Sequence, residues 1–180
     1  MQMNVHRKAV VIATALSAGL AAVTVWAAIT EVIAVGTMTH SDLFGGPTTV
    51  TMRRLTFTAG EVLGWHYHPG AGAYTIVTRG RLFVEDGCGG EQLYTAGQAF
   101  LEHPNRVHRG KNRDVEPTET LQTFIVPAGV PISVPTEQLC GPPESVQECS
   151  GNEWMKFTHP REFRSQGDCV FHVAAGAAHH

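Results

Sequence analysis

The sequence carries few charges and no concentration of either sign. Lysine, arginine, aspartate and glutamate make up 16% of its 180 residues, and 13 basic residues face 16 acidic ones for a formal net charge of -3. Without a basic patch or an arginine run there is no electrostatic footprint for nucleic acid. No serine sits in a Gly-x-Ser-x-Gly setting, which argues against a hydrolase nucleophile elbow. The stretch Asp86-Gly87-Cys88-Gly89-Gly90 is followed by neither a lysine nor a helical pattern, so it is not a phosphate loop. The cysteines include no Cys-x-x-Cys pair, which argues against a zinc ribbon. Residues 48–126 contain no amphipathic helical pattern.

Charge is also missing from Ala9 to Thr30, a run rich in Ala, Val, Leu and Ile that follows His6-Arg7-Lys8. A signal peptide core is about 7–15 residues and a spanning helix about 20. This run approaches the longer case, while Val25-Trp26-Ala27 offers small residues for cleavage before Ala28. Residues 1–27 are therefore expected to be a signal peptide or a membrane anchor. The positive end stays in the cytoplasm in both cases, so the folded part is expected to be exported. Leaving out residues 1–27 leaves 11 basic against 16 acidic residues, or -5. An oxidising compartment favours disulfides among Cys88, Cys140, Cys149 and Cys169. Four cysteines allow three pairings and sequence does not select one; the working expectation is Cys88 with Cys140 and Cys149 with Cys169.

Residues 28–47 read as a connector ending in Gly45-Gly46-Pro47. From Thr48 the texture is β. Val50, Met52, Leu55 and Phe57 alternate with polar residues, Val62 to His68 is a short strand, and Tyr74–Thr78 and Arg81–Glu85 flank a tight turn at Arg79-Gly80. Gln92–Tyr94, Gln98–Glu102, Arg106–Arg109 and Glu119–Val126 continue the series, the last with a buried-looking Leu121, Phe124, Ile125 and Val126. Short strands punctuated by glycine indicate an all-β sandwich or barrel. Residues 128–180 form a proline-rich, irregular C-terminal extension, with a frayed tail expected from Ala174 to His180.

What this β domain does contain is a histidine pattern. His66 and His68 are one residue apart on a strand, so they share a face. His108 follows on a distant strand. A lone strand histidine is ordinarily a packing residue, but three at these spacings make a metal site with coordination positions left open. Glu102 and His103 lie near the third histidine. Glu102 reads as a solvated carboxylate or, alternatively, as a base or replacement ligand; His103 reads as a rim residue beside the site or, alternatively, as a ligand. These two are the candidate catalytic residues. Trp65 and Tyr67 should point away from the ligands and pack, and Tyr74 also alternates away.

Residues 60–80 and 97–112 resemble the two motifs of the cupin superfamily. The first motif is matched by Gly60, His66, His68 and Gly80, the second by Gly97, His108 and Asn112. The resemblance spans about residues 48–127 and implies an antiparallel double-stranded β-helix, a jelly-roll barrel with metal in its mouth. It is closest in kind to cupin type-2 domains of the dioxygenase-like, quercetinase sort. Three positions depart from the family pattern. Its glutamate position falls on Ala73, its second-motif proline position on His103 and its second-motif glycine position on Asn105, a residue type that tolerates positive φ. The ligand set implied is His66, His68 and His108 through Nε2. Without a carboxylate such a centre would keep a full +2 charge and favour an anionic substrate.

The expected cofactor is a divalent metal, Fe2+ first, with Mn2+, Ni2+ and Zn2+ as alternatives. The function implied is a metal-dependent dioxygenase acting on a small enolate or phenolate. The alternative is a non-catalytic cupin that holds a metal or small ligand. A metal-independent cupin is disfavoured because the histidines are intact. The expected partner is a small molecule, with no nucleic acid, a membrane only through residues 1–27, and a homodimer as the oligomeric option.

Overall fold

The computed structural model describes residues 28–177. Residues 1–27, where a signal peptide or membrane anchor is expected, and residues 178–180 lie outside the described residues. Ten strands follow one another: β1 Ile29–Ser41, β2 Gly46–Phe57, β3 His66–Tyr67, β4 Ala73–Arg79, β5 Arg81–Asp86, β6 Glu91–Thr95, β7 Ala99–Glu102, β8 His108–Lys111, β9 Thr118–Pro127 and β10 Val134–Pro135. They form two five-stranded sheets, ordered β1-β2-β9-β4-β7 and β10-β3-β8-β5-β6, with every pairing antiparallel. This is the expected all-β double-stranded β-helix. Among the described residues no helix is long and apolar enough to cross a membrane.

Strand alternation sets the interior. Along β9, Thr118, Thr120, Gln122, Phe124 and Val126 are buried while the residues between them are half-buried. The inward row thus includes Phe124 and Val126 but not Leu121 or Ile125, which the run of apolar residues had suggested were buried. A period of two cannot put neighbours on one face. Leu55, Phe57, Val77 and Leu82 make the apolar core, with Leu63, Val84, Tyr94 and Phe100 packed on it.

Three expectations are corrected. The residues read as a connector contain a 13-residue strand, β1, paired along β2. Residues 29–40 are exposed, so no buried face imposed the alternation by which a strand is recognised. The strand expected over Val62–His68 shrinks to β3 and one bridge from Val62 to Lys111. Ala174–Ala177, expected to fray, belong instead to helix α1, which runs Gln166–Ala177.

The C-terminal extension has its own small core. Cys149, Phe157, Phe163 and Cys169 are buried together, against Leu139 and Trp154. Cys149 is bonded to Cys169 within it, and Cys88 is bonded to Cys140, fastening the β5–β6 loop to the extension. The Cys88–Cys140 bond closes a loop with a sequence separation of 52. A loop of that length restricts the unfolded chain by about 4 kcal/mol. Replacing both cysteines, Cys88→Ser with Cys140→Ser, is expected to lower unfolding free energy by about 2–4 kcal/mol in denaturant titration. A loss under about 0.5 kcal/mol would show that the extension is not held through this bond.

Candidate metal centre

The inward faces of β3, β8, β4, β7 and β9 meet in the barrel. His66 pairs directly across from His108 between β3 and β8. His68, one residue past β3, shares the face of His66. The three rings lie 4.6–5.1 Å apart by centroid. His68 is fully buried, His108 nearly so, and the His68 ring sits edge-on to Phe124.

Each ring has its Nδ1 on a backbone carbonyl: His66 on Gly64 at 2.9 Å, His68 on Ile132 at 2.8 Å, His108 on Arg106 at 2.9 Å. A carbonyl only accepts, so every Nδ1 must carry its proton and donate it. In the neutral ring that leaves each Nε2 as a bare lone pair. Fixing the tautomer in this way is what carbonyl partners do for metal-binding histidines.

Glu102 completes the group. Its Oε2 lies 2.8 Å from His68 Nε2 and 2.9 Å from His108 Nε2. Its Oε1 accepts from Thr75 Oγ1 at 2.5 Å and from Gln122 Nε2 at 3.0 Å. The Gln122 Oε1 in turn accepts from Arg53 Nε at 2.7 Å, which fixes the amide's orientation. The donor atoms of His66, His68, Glu102 and His108 all lie within 4.8 Å of one another and could hold a metal ion. Glu102 is therefore not the solvated carboxylate that was its ordinary reading.

Its arrival there explains Ala73. In the β4–β7 register Ala73 lies directly opposite Glu102. Directly paired residues have Cβ atoms about 5 Å apart on one face. The carboxylate absent from position 73 is thus supplied by the neighbouring strand, over the space that the small Ala73 side chain leaves. Gly72 permits the close approach, since a Cβ there would lie 2.2 Å from the Glu102 carbonyl oxygen and its φ is +78°. Asn105 has a φ of +58°, in keeping with the glycine position it fills in the second motif. Asn112 binds no centre; its buried amide donates to the Thr58 and Glu116 carbonyls and shapes the loop after β8.

Other expectations also meet the structure. Trp65 and Tyr67 turn outward, where Arg109 sits 4.3 Å over the first ring and Lys156 4.6 Å over the second. Tyr74 is half exposed, away from the centre. His103 is not in the group; it lines the cavity beside it. The Thr75–Gln122–Arg53 chain went unread in the sequence. Its one signal was a glutamine on the inward face of a strand otherwise filled by threonine and apolar residues.

Charge follows from geometry. Burial opposes the anion of Glu102, but the hydrogen bonds and charges of His108 and His68 outweigh it and hold the carboxyl well below its ordinary value. Burial likewise opposes the cation of His108, yet the Glu102 hydrogen bond and charge turn it upward. His66 is lowered to about 4, first by burial and then by the neighbouring imidazoles. Beside this group the barrel interior has only about 10 Å³ free, room for one water-sized occupant.

Residues 53–126 match the model of the cupin domain family. This stretch of the chain is a cupin domain, and the histidine–glutamate group sits in it. An uncharacterized conserved protein with a double-stranded β-helix domain from Klebsiella pneumoniae superposes with a TM-score of 0.45 at 21% identity, over 61% of this chain and 84% of that one. An oxalate oxidase in complex with the substrate analogue glycolate gives 0.38 at 24% identity, over 44% and 46%. Lactobacillus farciminis oxalate decarboxylase gives 0.42 at 17%, over 48% and 26%. The chain thus spans under half the length of the oxidase and about a quarter of the decarboxylase. No curated protein matches it at a significant level.

The two shifted histidines act in opposite pH windows in the metal-free protein. His66, lowered to about 4 from 6.5, lends stability that is present above 6.5 and lost as pH falls toward 4. His108, raised above 6.5, lends stability that is present below 6.5 and lost as pH rises through its folded value. Their joint contribution peaks near pH 6.5. Subtracting the pH–stability curve of a His66→Ala, His108→Ala double variant from that of the parent is expected to leave a maximum there. A difference still climbing at pH 8 would contradict this assignment.

Proposed function

We propose that this chain is an exported cupin that holds one divalent metal ion through His66, His68, Glu102 and His108 and uses it to act on a small enolate- or phenolate-type substrate. The observation that carries the reading is a shortage of protons. Three imidazoles whose Nδ1 protons are committed to carbonyls turn toward one another Nε2 atoms that are bare lone pairs when the rings are neutral, and an ionised carboxylate oxygen lies among them. Four lone pairs facing one small space repel unless a cation fills it. In the metal-free protein a proton on His108, held by Glu102, answers part of that need. A divalent ion answers all of it.

Glu102 alters the charge expected of a centre built from histidines alone. Its carboxylate cancels one unit, leaving a net +1 site that still attracts an anionic oxygen but less strongly. Three imidazoles and one carboxylate suit Fe2+ first, with Mn2+, Ni2+ and Zn2+ also compatible. The metal would supply Lewis acidity and, if iron, dioxygenase-type redox chemistry toward a substrate oxygen. The protein's own residues do the rest. Thr75 and Gln122 keep Oε1 of Glu102 engaged, so the carboxylate serves as a ligand rather than a base. His103 lines the adjacent cavity, where burial and Arg106 lower its pKa and favour the neutral ring that accepts a proton. That places it for proton transfer at the substrate.

Export is supported by the two disulfides, since such bonds persist in oxidising compartments, together with the charge-free run after Lys8.

Elemental analysis of residues 28–177 is expected to give one metal per chain. His66→Ala, His108→Ala and Glu102→Gln should each lower metal affinity at least tenfold. Equal metal content in parent and variants removes the proposal. Oxygen uptake by the iron-loaded parent with diketones, flavonols or catechols separates a dioxygenase from a binding cupin. An iron-replete, folded sample that consumes none leaves only the binding role.

A further inference from the structure

The two sheets do not close on each other everywhere. β6 and β7 are the last strands of their respective sheets and are not hydrogen-bonded to one another. They are joined by the turn at Ala96-Gly97, and across the gap Tyr94 and Phe100 stack with rings 3.7 Å apart and 9° from parallel. Along this seam lies a cavity of about 460 Å³, well inside the range of small-molecule sites. Its floor includes Glu102 and His108, two of the four members of the metal group. The barrel interior on the other side has about 10 Å³, too little for any organic molecule.

We infer that a substrate reaches the metal group through this β6–β7 seam, and that the cavity takes a small planar molecule bearing acceptor oxygens, such as a hydroxylated aromatic or enolic acid. The inference rests on the metal reading above and adds the route and the ligand class. The lining decides the class. Its acidic side chains are already engaged. Asp86 accepts from the backbone of Cys88 and Gly90, Glu91 pairs with Arg113 and Lys111, and Glu162 pairs with Arg106 at 2.6 Å. The side chains of His103 and His159 line the cavity and hydrogen-bond to no other described residue. Neutral imidazole brings one N–H and one bare nitrogen, and Tyr94 and Thr158 add hydroxyl groups, so the lining suits a ligand that carries acceptor oxygens and hydroxyls together. Tyr94 and Phe100 supply a flat apolar wall, which calls for a planar skeleton.

The C-terminal extension closes the outer side. Thr158, His159 and Glu162 form that wall. They are held by the Arg106–Glu162 pair and, through the extension, by Cys88–Cys140. The extension is thus part of the ligand site.

The test uses 4-nitrocatechol and the zinc-loaded chain, in which no redox turnover occurs. Gln92 lines the cavity from an exposed position on β6. Its neighbour Leu93 points to the other side of that strand and does not line it. Gln92→Trp is expected to weaken 4-nitrocatechol binding at least tenfold in equilibrium dialysis, with metal content unchanged. Leu93→Trp, the same added bulk on the opposite face, should bind as the parent does. Binding that Gln92→Trp leaves intact, or no binding by the parent, overturns the seam as the route. If metal content fails to respond to His66→Ala and His108→Ala, the metal reading falls. The metal-free chain then decides the cavity by the same Gln92→Trp and Leu93→Trp comparison.

Discussion

Glu102 Oε2 sits between the Nε2 atoms of His68 and His108, and the interior of the barrel is arranged around that contact. A carboxylate this deeply buried is costly unless its oxygens are satisfied. Thr75 and Gln122 satisfy one oxygen, and Arg53 behind Gln122 holds the amide in the orientation that donates. The other oxygen is left for the imidazoles. Along the inward row of β9, Gln122 and Phe124 reach the histidine–glutamate group, while Thr118 and Thr120 lie level with Phe57, Leu55 and Val77 of the apolar core.

The position of the carboxylate shows that cross-strand register can bring a glutamate of β7 to the place that a residue of β4 faces. Positions 73 and 102 are 29 residues apart in the chain yet face each other across one β pair. An acid on either can reach the same centre. Exchanging alanine for glutamate between two such positions preserves the donor set while altering what surrounds it. Here the carboxylate comes from β7, the edge strand at the seam, and so the metal group borders the lateral cavity.

The C-terminal extension is coupled to this arrangement. Gly87 lies so close to Leu139 that a Cβ there would fall 1.7 Å from the Leu139 oxygen. Together with the adjacent Cys88–Cys140 bond, this fastens the extension beside the β5–β6 loop. The small core around Cys149–Cys169 then gives the segment from Thr158 to Glu162 a fixed platform over the seam. An irregular, proline-rich stretch acquires a defined place because disulfides and a few buried aromatics replace the ladder hydrogen bonds that it lacks.

Sequence by itself determined the domain and three of the four members of its candidate centre. Alternation and glycine punctuation gave the β-barrel, and the spacing of His66, His68 and His108 gave the imidazoles, because these are local patterns with a period of two or a fixed offset. It did not reveal β1, whose exposed faces impose no alternation. Nor did it join Thr75 and Gln122 to Glu102, which it had placed near the third histidine. Tertiary structure decided those, because cross-strand register is set by the pairing of whole strands. Only that register shows that the carboxylate absent at Ala73 stands opposite it.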